Sequence, residues 1–366
     1  MTARPRVRAI RDSRVGALGA VAGVLAVGAA AGLAAERYAV GRARLRPDPE
    51  AREPFFGLVA DRVRTVVADD GVRLHVEEVG PEGQADGPTV VFAHGYTQEM
   101  AVWHYQRQAF AADNPGKLVF YDQRSHGRSG RSPADHSTID QLGRDLYAVL
   151  EACAPRGPVV LVGHSMGGMT IMALADQHPG LFGPRVVGVA LLSTSTGKLA
   201  HAAFGLPAAV VPVTSRVLPF VTRGMRTRPQ IFERGRRLGT DLAFLLSRSW
   251  AFGTKDVSPA LVEFVEKMTA NTPVDVIAEF YDTFTDHDKL AALDVLSRVE
   301  TVILVGSRDR LTPLSHSQVM AETLPSAQLV VVEGAGHMVQ LERAPLVTLH
   351  LRALLRRAAG SVARTA

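Results

Sequence analysis

Residues 158–168 read Pro-Val-Val-Leu-Val-Gly-His-Ser-Met-Gly-Gly. A β-branched run, Val159 to Val162, stops at Gly163, and Ser165 stands just before a helix expected from Met166 to about Pro179. A serine thrust out on so sharp a strand-to-helix turn needs small neighbours on both sides, which Gly163 and Gly167 provide. The turn exposes the hydroxyl at the edge of a sheet. It also leaves the next amides at a helix N-terminus, where free donors and the positive end of the helix dipole favour an anion. The Gly-x-Ser-x-Gly pattern alone is weak, with about 0.15 chance occurrences expected in such a chain, so its surroundings decide.

Those surroundings repeat the strand signal. Thr89 to Phe92, Leu118 to Tyr121, Val186 to Leu192, Thr301 to Val305 and Leu329 to Val332 are short apolar runs, as expected of strands covered on both faces of a parallel sheet. Val72 to Val79 alternates like a half-exposed strand. Helical stretches lie between them: Ser137 to Ala152, opening with Ser-Thr-Ile-Asp in capping-box register, then Ser315 to Leu324 and Pro345 to Arg357. The alternation predicts an α/β fold with a mostly parallel sheet and helices on both faces, in which ligands sit beyond the carboxyl ends of the strands. Residues 197–290 break the rhythm with apolar residues at helical spacing, among them Phe204, Val210, Leu242, Leu246, Phe264 and Met268. They are expected to form a helical cap inserted between two parts of the core, 54–196 and 291–366, with helices padding the outside of the sheet as the alternative.

A serine hydroxyl is a poor nucleophile until a base takes its proton, and the base must be held in one tautomer by an acid. After the run 301–305 comes Gly306-Ser307-Arg308-Asp309-Arg310-Leu311-Thr312-Pro313, and after 329–332 comes Glu333-Gly334-Ala335-Gly336-His337. Asp309 and His337 thus fall in loops at strand ends, and the order Ser165, Asp309, His337 is the one that this architecture requires. Taken singly, Asp309 could cap a helix or pair with Arg308 or Arg310, and His337 could be a packed loop histidine. The oxyanion formed when Ser165 attacks a carbonyl needs two donors. Met166 N–H supplies one, and the Tyr96 N–H of His94-Gly95-Tyr96-Thr97, after the strand at 89–93, is placed to supply the other. Asp122 to Gly130, polar and glycine-rich, reads as a structural loop.

These stretches together, His94 to Thr97, Asp122 to Ser129, Gly163 to Gly168, Gly306 to Pro313 and Gly334 to His337, resemble the α/β-hydrolase superfamily in its lipase, esterase and haloperoxidase-like branch. The resemblance covers about residues 65–196 and 291–358. It implies Ser165 as nucleophile, His337 as base, Asp309 as orienting acid, and the Tyr96 and Met166 amides as oxyanion hole. Ser165 stands where epoxide hydrolases and haloalkane dehalogenases carry aspartate, and Thr97 where epoxide hydrolases commonly carry proline. The reading is therefore a serine hydrolase acting on small apolar or lipid-like esters, without cofactor or metal. The alternatives are a perhydrolase or haloperoxidase-like or C–C bond-cleaving activity, and, from another class, a non-catalytic module binding a small ligand.

The chain has 366 residues, 46% hydrophobic and 21% charged, with 41 Lys and Arg against 36 Asp and Glu. Residues 1–53 hold ten of the arginines and five of the acids, so the remainder is balanced at 31 of each. A neutral body makes a phosphate backbone a poor partner, and no nucleic acid is expected. The sole cysteine, Cys153, excludes an internal disulfide and multi-cysteine metal sites. Val15 to Ala35 carries no charge over 21 residues and is long enough to span a bilayer. It is expected to be an N-terminal membrane anchor followed by a linker to residue 53, with a cleaved signal peptide and secretion as the alternative. Arginines flank it on both sides, so charge does not set its orientation.

Overall fold

Eight strands form a single sheet in the order β1-β2-β4-β3-β5-β6-β7-β8. They are β1 (Arg62–Val67), β2 (Arg73–Val79), β3 (Thr89–Ala93), β4 (Leu118–Tyr121), β5 (Val159–His164), β6 (Val186–Leu192), β7 (Glu300–Gly306) and β8 (Gln328–Val332). Pairing is antiparallel between β1 and β2 and between β2 and β4, and parallel everywhere else. The computed structural model describes residues 48–81, 87–113, 116–197, 220–238, 247–254 and 256–365, together with Gly41.

The apolar runs of β3 to β7 are buried on both faces, as inner parallel strands must be, whereas β8, expected to be covered likewise, is an edge strand that buries Val332 and leaves Val331 exposed. Val90, Phe92, Phe120, Val160, Val162, Leu192 and Leu304 point to one side, where helix α1 (His104–Asp113) contributes Phe110 and the C-terminal helix contributes Leu351 and Leu354. Their sequence neighbours Val91, Val119, Leu161, Leu191 and Ile303 point to the other, against α2 (Ile139–Cys153) and α3 (Met166–Gln177). The alternation is the two-residue period of a strand seen in contacts. β1 was invisible to the apolar-run criterion. It is an edge strand with only Val66 buried, and its arginines Arg62 and Arg64 meet the fully buried Glu78 on β2.

The capping register of α2 is one residue later than expected. Thr138, not Ser137, is the N-cap, and its hydroxyl accepts from Gln141 N at 3.1 Å. At its far end lies Cys153, buried, whose carbonyl accepts from Lys117 Nζ.

The chain leaves β3 for β4 on one side and β5 for β6 on the other, so β3 and β5, adjacent in the sheet, form the switch point of the topology. The crevice beyond their carboxyl ends is the favoured place for a ligand in such sheets. Between β6 and β7, the described residues 220–238, 247–254 and 256–290 contain helices and no strand, including α4 (Pro229–Leu238), α5 (Pro259–Asn271) and α6 (Val274–Asp286). The insertion is closed at its neck by a bridge between Gly197 and Asp288 and by Lys289 N donating to Thr196 O at 2.7 Å. α5 buries Leu261, Val262, Phe264 and Met268 in the core cluster on the α1 side. Among the described residues no helix is long and apolar enough to cross a membrane, and Val15 to Ala35 lies outside them.

The loop after β4 is held by charge. Arg124 is fully buried and forks onto Asp145 of α2 with two bonds of 2.6 Å, while its other edge meets Asp70 at 2.7 and 3.1 Å. Asp122 accepts from Met100 N and Arg128 N, both at 2.8 Å. The segment is thus a scaffold, joining the β1–β2 turn, α2 and the β4 loop. Removing one member of a buried ion pair strands the other charge, at about 3–5 kcal/mol. Arg124→Met is accordingly expected to lower unfolding free energy in urea by that amount, and an unchanged midpoint would show that the pair carries no stability.

Candidate active site

Ser165 sits at the β3–β5 switch point with φ +53° and ψ −116°, a left-handed conformation that a residue with a side chain rarely adopts. The strain is held by main-chain packing. A Cβ on Gly163 would lie 2.5 Å from Gly167 O, and one on Gly167 would lie 2.1 Å from Ala93 O at the end of β3. Ser165 N donates to Leu192 O at 2.9 Å, and Ser165 O accepts from Gly168 N at 2.9 Å and from Thr194 Oγ1 at 2.7 Å. The side chain itself is half-buried.

β7 ends at Gly306 and β8 at Val332, and the loops beyond bring Asp309 and His337 together. His337 Nδ1 is 3.0 and 3.1 Å from the two Asp309 oxygens, with both side chains buried. Burial works to raise the Asp309 carboxyl, but the His337 imidazole and the hydrogen bonds from Thr312 outweigh it and hold the group below its ordinary value. Leu311 N and Thr312 N donate to Oδ1 at 2.9 Å each and Thr312 Oγ1 donates to Oδ2 at 2.8 Å. Facing an ionised carboxylate, Nδ1 must carry the hydrogen of the neutral ring, which leaves Nε2 with a lone pair. Arg308 and Arg310, the rival partners for Asp309, turn away to carbonyls of the insertion, Gly253 O and Ser249 O.

Ser165 is joined to this pair through its neighbour. His164 lies with Nε2 2.9 Å from the His337 carbonyl oxygen, and the two rings are 4.8 Å apart. The single hydrogen of the neutral ring goes to that carbonyl, so Nδ1, 3.1 Å from Gln98 Oε1, only packs against an oxygen that accepts from Gly95 N at 3.1 Å. Gln98 and His164 therefore tie together the loops after β3, β5 and β8, and neither stood out in the sequence. Among the described residues, Ser165 Oγ forms no hydrogen bond to His337, a gap common in unliganded sites, where such bonds tighten only when substrate arrives.

The amides expected as oxyanion donors, Tyr96 N–H and Met166 N–H, have no hydrogen-bond partner among the described residues. Gly95 allows the close approach, since a Cβ there would lie 3.0 Å from His164 Nδ1. The Tyr96 ring leans on Phe284 of α6 at 5.0 Å, and its hydroxyl donates to Ile277 O of the same helix. Val276 and Phe280 of α6 pack with Met166, Met169, Ile139 and Leu142, so an apolar wall stands beside the two amides. Among the described residues no group of three or more His, Cys, Asp or Glu side chains is arranged to hold a metal ion.

With this geometry in place, the comparisons fit. The sequence profile of the alpha/beta hydrolase fold matches residues 88–344, and the chain belongs to that family. It is similar to 3-oxoadipate enol-lactonase 2 of Acinetobacter baylyi, 24% identical over 75% of this chain and 91% of that one. It is also similar to the sn-1-specific diacylglycerol lipase ABHD11 of Mus musculus, 26% identical over 72% and 79%. The structure of a thermophilic esterase from Thermogutta terrifontis superposes with a TM-score of 0.63 over 81% of this chain and 99% of that one, at 22% identity. The family and its esterase, lipase and lactonase members support a hydrolase.

Three buried histidines surround the site. Burial pushes His94 down to about 4, and His126 and His164 down to about 3, from 6.5. Between pH 6.5 and 4 these three rings therefore bind more protons in the unfolded chain than in the folded one. The stability they contribute is complete above that window and falls as pH drops through it, by up to about 1.4 kcal/mol per pH unit for each histidine, while the Glu99 carboxyl, raised to about 7 by burial, offsets one of the three. Urea midpoints should hold near pH 7.5 and decline from about pH 6.5 to 5; a flat profile would mean that these rings are not held neutral.

Proposed function

We propose that this chain is a serine hydrolase cleaving carboxylic esters of apolar acyl groups through an acyl-enzyme. The observation that carries the reading is the Asp309–His337 pair, whose Nδ1 hydrogen is committed to a carboxylate so that Nε2 is left to accept a proton. In the proposed reaction the Ser165 hydroxyl gives its proton to Nε2 while Oγ bonds to the ester carbonyl carbon. The resulting oxyanion is met by the Tyr96 and Met166 amides. Imidazolium then protonates the departing alkoxide, leaving an acyl-serine, and water deprotonated by the same imidazole releases the acid.

The apolar wall of Met166, Met169, Val276 and Phe280 supports an apolar acyl group. Residues 197–290 are proposed as the cap over this site, and the similarity to an enol-lactonase and to acylglycerol lipases supports an ester substrate. Ser165→Ala should lower turnover of a short nitrophenyl ester at least about a thousandfold with the fold intact, and a fluorophosphonate probe should form its adduct on Ser165. Retained turnover in the variant, or an unlabelled wild type that binds ligand, would end the reading. Peroxide-dependent halogenation exceeding ester turnover would favour the haloperoxidase-like alternative.

Val15 to Ala35 is proposed as a single membrane span that keeps the enzyme at a bilayer. The full chain should then stay with membranes through alkaline carbonate washing. A soluble protein whose first residue lies near Glu36 would indicate signal cleavage instead.

A further inference from the structure

The base loop, the acid loop and the insertion meet as bare backbone. A Cβ on Gly253 would lie 2.4 Å from Ala335 C and Gly336 N, and one on Gly336 would lie 2.4 Å from Gly253 N. One on Gly306, where β7 gives way to the acid loop, would lie 2.3 Å from Ala335 O. Hydrogen bonds stitch the same three segments. Met338 N donates to Ala251 O at 2.9 Å, and Arg308 N donates to Ala335 O at 2.9 Å. The half-buried carboxylate of Glu342 accepts from Gly336 N at 2.7 Å with one oxygen and from Gly253 N at 2.9 Å with the other. From the acid loop, Arg308 Nη1 donates to Gly253 O at 3.3 Å and Arg310 Nη1 donates to Ser249 O at 3.1 Å and to Ser249 Oγ at 3.2 Å. Ala251 and Phe252, between these contacts, are buried in the main core cluster.

The insertion thus touches the residues immediately flanking both Asp309 and His337. We propose that its segment Ser249–Gly253 is a positioning element for the Asp309–His337 pair, and that Glu342 is the positioning residue joining it to the base loop. Seating of the insertion then governs whether Nε2 of His337 is aimed at Ser165. The inference rests on the assignment of His337 as base. Its physical ground is that a misplacement of about 1 Å in a reacting group can cost about a hundredfold in rate.

The test compares wild type, Gly253→Ala, Glu342→Gln and the double variant Arg308→Ala/Arg310→Ala, whose lost guanidinium groups are exposed. The full chain is assayed with a short nitrophenyl ester, and the His337 Cε1–H resonance is followed by NMR. Glutamine has one acceptor oxygen where glutamate has two, so Glu342→Gln can satisfy only one of the two amides. We expect kcat to fall about 10- to 100-fold in Gly253→Ala and about 3- to 10-fold in the other two, with KM changed less than about threefold. The His337 resonance should shift in all three, and Arg308→Lys/Arg310→Lys should recover most of the loss. Unchanged kcat and an unmoved resonance in folded variants overturn the proposal, as does a loss of kcat that only tracks lowered thermal stability. If Gly253→Ala does not fold, the arginine pair decides in the same terms. A wild type without ester turnover, with variants that still shift the His337 resonance, ends the proposed function and leaves the positioning role standing. An active wild type with unmoved variants does the reverse.

Discussion

The edge of the sheet where the strands end is built on one steric constraint: main chain must pass main chain with no side chain between. Gly167 lies against Ala93 O, Gly163 against Gly167 O, and Gly306, Gly336 and Gly253 against one another's backbones. The left-handed Ser165 is the product of the first pair of contacts. A single conformation at φ +53° costs on the order of 1–3 kcal/mol and persists only where its neighbours over-determine it. Here the carbonyls of Leu192 and Ser165, fixed by Ser165 N, Gly168 N and Thr194 Oγ1, do so.

Around that edge the polar interior is arranged by satisfying one proton at a time. His94 illustrates it. Gln123 N donates to Nε2 at 2.9 Å, so Nδ1 keeps the hydrogen and donates to Gly95 O at 2.8 Å. That bond holds the turn whose next amide is Tyr96 N–H. Farther out the chain uses full charges, in Arg124 with Asp70 and Asp145 and in Glu78 with Arg62, Arg64 and Lys117. Neutral rings lie next to the reacting groups, and permanent ions brace the scaffold behind them. A buried pair of ions is rigid but does not favour a proton transfer, whereas a ring of fixed tautomer can.

What could be read from the sequence follows from how local the cause is. The strands β3 to β7 announced themselves because burial on both faces demands apolar residues at consecutive positions, and β8 showed the same run although as an edge strand it buries only Val332. Ser165, Asp309 and His337 could be found because strand-end loops rich in glycine have a fixed place in the topology. β1 escaped because an edge strand needs only Val66 inside, and α2 began one residue late because Ser137 and Thr138 are chemically equivalent caps. Gln98, His164, Thr312 and Glu342 were not legible at all. Gln98, His164 and Glu342 meet partners distant along the chain, as Glu342 meets Gly253, and Thr312, though it serves Asp309 three residues away, is of a residue type that marks nothing in a loop.

The buried Cys153, at the end of α2, has a practical corollary. Its thiol is pushed up to about 12, first by burial and then by the nearby Glu78, so in neutral solution it is neither ionised nor reachable and stays inert to alkylating reagents. Any cysteine introduced at the surface is then the sole reactive sulfur in the molecule. Fluorophores or spin labels can be attached one site at a time without first removing a native thiol.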